Sequence, residues 1–79
     1  MTAQQFINHL SEITEFRFIT KNKKGLIQVF KNQPVYNPNS DKFEYKAKES
    51  LQIKEPIFKM PVFDKYLEGK EHVIEAQYF

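Results

Sequence analysis

The chain has 79 residues, a formal charge of +2 and no cysteine. That length makes one domain and buries only about 60% of the unfolded surface, which leaves modest stability. The missing cysteine excludes a disulfide framework, a thiolate zinc site and a thiol nucleophile, and the small charge does not by itself call for a nucleic-acid partner.

Thr2-Ala3-Gln4-Gln5 fits a capping box, with Thr as N-cap and Gln at the third helical position. Phe6, Leu10 and Ile13 follow at helical spacing, with Ala3 and Ile7 beside them. This predicts an amphipathic helix over 3–13.

Phe16 to Lys31 reads as a β-hairpin: two runs rich in Phe, Ile and Val flank Asn22-Lys23-Lys24-Gly25. Asn opens a turn well because its side chain bonds backbone two residues on. Gly25 supplies a positive φ at no steric cost. The expected loop is three residues with a glycine bulge, which sets Asn22 against Leu26, Thr20 against Gln28 and Phe18 against Phe30. Alternation then puts Phe16, Phe18, Leu26 and Phe30 on one face. Ile19, Ile27 and Val29 occupy the other, edged by Arg17, Lys21 and Lys31. The Phe-rich face is the expected dock for the helix, which leaves the Ile/Val face to be covered from elsewhere.

Residues 32–41, with two Pro and three Asn, read as a loop. Over 43–54 the alternation of Phe43, Tyr45 and Ala47, then of Leu51 and Ile53, predicts two short strands, 43–47 and 50–54. A single helix is the alternative there. Pro61 and Gly69 bracket a short second helix at 61–68. His72 to Phe79 reads as a last strand centred on Val73 and Ile74. The expected fold is α+β: one mostly antiparallel sheet of about four or five strands, helix 3–13 packed on one face, and the short second helix.

Catalytic chemistry finds little support. His9 and His72 have no metal-ligand spacing. The acidic residues from Asp41 to Glu75 are dispersed among lysines, and the serines lack nucleophile-elbow glycines. Two glycines give no phosphate-cradling loop. No cofactor, small-molecule substrate or membrane span is expected, because no apolar run approaches the roughly 20 residues a bilayer needs. The N-terminus lacks signal-peptide regions, so the expected compartment is the cytoplasm.

The clearest functional feature is the charge of the hairpin. From Arg17 to Lys31 there are five basic residues and no acidic one. An apolar centre with a charged rim is the anatomy of a protein interface. The candidate partner-binding residues are therefore Arg17, Ile19, Lys21, Lys23, Lys24, Ile27, Val29, Lys31 and Tyr36. The expected function is a non-enzymatic protein that occupies a partner protein's surface, the partner being a second copy of the chain or a host protein. Small size, lysine bias and the lack of a catalytic signature resemble the short accessory and inhibitor proteins of phages and mobile elements. The alternative is a nucleic-acid binder, with the basic hairpin supplying charge and Phe30, Tyr36 or Tyr45 supplying rings for base stacking.

Overall fold

The computed structural model describes residues 2–44, 51–52 and 69–77. Its elements are helix α1 (Ala3–Ile13) and strands β1 (Phe18–Lys21), β2 (Ile27–Phe30), β3 (Val35–Asn37), β4 (Lys42–Glu44), β5 (Leu51–Gln52) and β6 (His72–Glu75). One antiparallel sheet has the order β5-β2-β1-β6, and β3 and β4 form a separate hairpin. The class is α+β. The expected helix at 61–68 and most of the expected strands 43–47 and 50–54 lie outside the described residues.

Helix α1 starts where its capping box places it. The Thr2 hydroxyl accepts from Gln5 N at 3.1 Å, and the Gln5 side chain accepts from Thr2 N at 2.9 Å. At the other end the single arginine closes the helix. Arg17 Nη1 lies 3.0 Å from Ser11 O and 2.8 Å from Thr14 O, carbonyls that the last turn leaves without helical partners. A cation here also opposes the negative end of the helix dipole.

The first hairpin has the expected register. Phe18 pairs with Phe30 and Thr20 with Gln28. Asn22 N donates to Leu26 O at 3.1 Å, Gly25 N donates to Asn22 O at 3.0 Å, and Gly25 has φ +94°.

Helix α1 docks on the face opposite to the one expected. Ala3 and Ile7 pack with Ile19, Ile27, Val29, Ile74 and Ala76, all buried, and Phe6, Leu10 and Phe16 close the rim. The inward row of the helix is Ala3, Ile7 and Ser11, not Phe6, Leu10 and Ile13, and Ile13 is 67% exposed. Small residues at both ends of that row let the helix come close to the flat surface of β-branched side chains on β1 and β2. Ser11 tolerates burial because its hydroxyl donates to Asn8 O at 2.8 Å. Each fully buried Ile or Val here contributes about 1.5–3 kcal/mol.

Phe16 leaves the Phe18 face for a local reason. Arg17 N donates to Phe30 O at 2.9 Å, while Phe18 also stands opposite Phe30. Two residues therefore face one, which is a β-bulge, and the extra residue inverts the alternation before it. Phe16 thus joins the helix side of the sheet.

Phe18 and Phe30 pack instead on Phe43 and Tyr36, brought by the second hairpin. Residues 35–37, expected within a loop, are a strand. Pro34 and Pro38 sit just outside its ends, where a missing N–H costs no ladder bond. Both faces of the β1–β2 hairpin are thus covered by the chain's own side chains.

The helix also reaches the outer edge of β6. Gln4 Nε2 donates to Glu75 O at 3.0 Å, and Asn8 Oδ1 accepts from Gln77 N at 2.8 Å. These bonds occupy backbone groups that would otherwise be open to a foreign strand.

Candidate functional site

The tips of the two hairpins are fused at Asp41. This residue ends the β3–β4 loop with φ 53°, a conformation that Asp tolerates better than most residues because its short polar side chain bonds locally. Its carboxylate accepts from Lys23 N at 2.9 Å, Lys24 N at 3.2 Å and the Tyr36 hydroxyl at 2.6 Å. Its backbone carbonyl accepts from Asn22 Nδ2 at 3.0 Å. Asn22 is buried, and its Oδ1 accepts from Leu26 N at 2.8 Å. The neighbouring turn is fixed too, since Asn37 Oδ1 accepts from Asn39 N at 3.0 Å.

Tyr36 is held from both ends. Its hydroxyl donates to Asp41, and its ring packs on Phe43 with centroids 5.0 Å apart at 51°.

The electrostatics follow from these bonds. The Tyr36 hydroxyl, then the Lys23 and Lys24 amides and the Lys24 charge, hold the Asp41 carboxyl below its ordinary value, against partial burial, which opposes them. The carboxylate in turn pushes the Tyr36 hydroxyl up to about 12, with burial and the Glu71 charge adding to it. At neutral pH the carboxylate is ionised with its oxygens already engaged, and the phenol is neutral. This pair holds two loops in place, and neither member is poised to exchange a proton.

Between the tips lies an open hollow of about 520 Å³, lined in part by Asn22, Leu26, Ser40 and Asp41 and flanked by Lys24 and Lys42. Lys23, Lys24 and Lys42 are all exposed.

The residues singled out in the sequence divide three ways. Lys23, Lys24 and Tyr36 come together around Asp41, and Lys21 ends β1 beside them, opposite Ile27 and His72. Arg17 and Lys31 lie at the other end of the strands. Arg17 caps the helix, and Lys31 makes an ion pair with Glu15 at 3.2 Å. Ile19, Ile27 and Val29 are buried under α1. The apolar centre expected to meet a partner is therefore enclosed by the chain, because α1 takes this face and the second hairpin takes the Phe face.

Of the rings considered for base stacking, Phe30 is 2% exposed and Tyr36 is bonded to Asp41, while Tyr45 lies outside the described residues. Among the described residues no group of three or more His, Asp or Glu is placed to hold a metal ion, and no helix is long and apolar enough to cross a membrane.

Asp41 is the residue that sequence reasoning passed over, as one acid among many. A signal was present: Asn37-Pro38-Asn39-Ser40-Asp41 is a run of turn formers, and Asp suits the left-handed position that ends such a loop.

Neither protein families, curated proteins nor solved structures give a match to this chain.

Proposed function

We propose that this is a non-catalytic cytoplasmic protein that acts by occupying a partner protein's surface, with the fused hairpin tips as the contact. The observation that carries the reading is the setting of Lys23, Lys24 and Lys42. Three exposed cations stand on a backbone already fixed by the Asn22 and Asp41 bonds. A preorganised loop loses little entropy on binding, and rim cations steer association with an acidic surface. A role as a small accessory or inhibitor protein of a phage or mobile element is consistent with action by surface occupation.

A homodimer through Ile19, Ile27 and Val29 has no support, since those side chains are interior. The nucleic-acid reading keeps the lysines and loses Phe30 as a stacking surface.

Affinity capture from lysate of the native host tests the reading. The wild-type chain is expected to retain a protein in near-stoichiometric yield, Lys23→Glu/Lys24→Glu to lose it, and Lys31→Gln, at the far end of the sheet, to keep it. Equal capture by all three chains would overturn the assignment to the tips.

A further inference from the structure

We infer that the segment received by the tips is a carboxylate-rich stretch of polypeptide, seated over the hollow between Lys24 and Lys42. This rests on the tips being the contact surface.

Charge complementarity carries the inference. Lys24 and Lys42 flank the same hollow from different hairpins, and Lys23 stands beside them. Among the described residues none of the three has a carboxylate at ion-pair distance; the ion pair found is Lys31 with Glu15. Asp41 lies in the same hollow, but its oxygens face the Lys23 and Lys24 amides and the Tyr36 hydroxyl. The Lys24 charge acts on it as well, so the hollow sets one carboxylate against the ammonium groups of Lys24 and Lys42, and that balance favours an incoming anion. Among the described residues Glu71, near enough for Tyr36 to feel its charge, and Glu44, which accepts at 3.4 Å from the Asn37 side chain opposite Lys42, also bring negative charge toward this end.

The hollow also has an apolar component. Leu26 is half-buried in its wall, and lysine stems cover apolar surface while their heads stay in water. An acidic peptide with an aliphatic side chain between its carboxylates satisfies both. A nucleic acid fits less well. Each phosphate neutralised adds only about 0.7–0.9 to the salt slope, so three lysines give weak binding. The large exposed apolar side chains among the described residues, Ile13, Val35 and Val73, are aliphatic and offer no ring for a base.

A short fluorescein-labelled peptide of Glu and Leu, titrated by anisotropy at low salt, tests this. The wild-type chain is expected to bind it, with affinity falling as salt is added. Lys24→Glu/Lys42→Glu is expected to weaken binding by at least about tenfold, and Lys31→Gln to leave it unchanged. Circular dichroism on the same samples checks folding, and Lys24→Gln/Lys42→Gln serves if the double reversal unfolds. No binding, or binding unaffected by the lysine variants, overturns the inference. So does a thymidine oligonucleotide that displaces the peptide at lower concentration, which would make nucleic acid the ligand. Loss of partner capture by Lys23→Glu/Lys24→Glu without peptide binding would leave the tips as the contact and remove only the acidic segment.

Discussion

Asn22 and Asp41 stand 19 positions apart in the chain, and the side-chain amide of the first donates to the backbone carbonyl of the second at 3.0 Å. The same asparagine closes its own turn through Leu26. One buried side chain thus sets the shape of the first loop and ties it to the second.

Replacing Asp41 separates the latch from the backbone strain. Asp41→Ala removes the acceptor of Lys23, Lys24 and Tyr36 and leaves a Cβ at φ 53°. Asp41→Gly removes the same acceptor but takes that φ freely. Both variants are expected to melt below wild type, Asp41→Ala lower than Asp41→Gly. Hydrogen exchange at the Lys23 and Lys24 amides should speed up in both. Unchanged exchange there would contradict the latch.

The Tyr36–Asp41 pair predicts a two-sided pH dependence. Asp41 is held below its ordinary 3.8, so its contribution is present above that pH and is lost as the pH falls through the lower folded value. Tyr36 is raised from 10.0 to about 12, so its contribution is present below pH 10.0 and is lost as the pH rises toward 12. Tm measured against pH should fall at both ends, and Tyr36→Phe should flatten both limbs. Parallel curves for the two proteins would show that the bond does not contribute.

Gly25 has φ +94° and open space where a Cβ would sit. Gly25→Ala therefore meets conformational strain and no collision. It should destabilise by about 1 kcal/mol, or about 4–8 °C in Tm for a domain of this size. No change in Tm would contradict the bulged turn.

Ile27 is 1% exposed beneath α1. Ile27→Ala should cost about 2–5 kcal/mol, readable by urea denaturation. Ile27→Glu should prevent folding, since it buries a charge among aliphatic groups. A folded Ile27→Glu protein would return this face to the surface.

Arg17→Met keeps the aliphatic stem and removes the donors to Ser11 O and Thr14 O. A loss of about 1.5–3 kcal/mol is expected for bonds to a charged donor, with fraying confined to the last turn of α1. Partner binding should survive, because Arg17 lies far from the tips. Weaker binding with an intact helix would place Arg17 in the contact instead.

Local features were legible in the sequence. The capping box needs only Thr2 and Gln5, and the hairpin register needs only Asn22 and Gly25, so each is decided within a few residues. The choice of face was not legible. It turns on whether Ala3 and Ser11 permit close approach and on a bulge at Arg17 that no residue type announces. The second hairpin was hidden because Val35–Asn37 is short and bracketed by prolines, which look the same in a loop. For the site, the lysines and Tyr36 were visible as types. Asp41 was not, because its role depends on two turns that meet only once both hairpins have formed.

The position of β1 has a consequence for synthesis. One neighbour, β2, arrives within a few residues and can pair on the microsecond scale. The other, β6, begins only at His72. Until that segment emerges from the ribosome, β1 has one bare edge and the Ile74 and Ala76 share of the core is missing. β1 therefore waits for the chain from Phe30 to His72 before its second edge is covered, an interval in which strand edges recruit other chains. Slowing elongation after residue 31 should lower soluble yield, and supplying residues 69–79 in trans as a peptide should restore part of it.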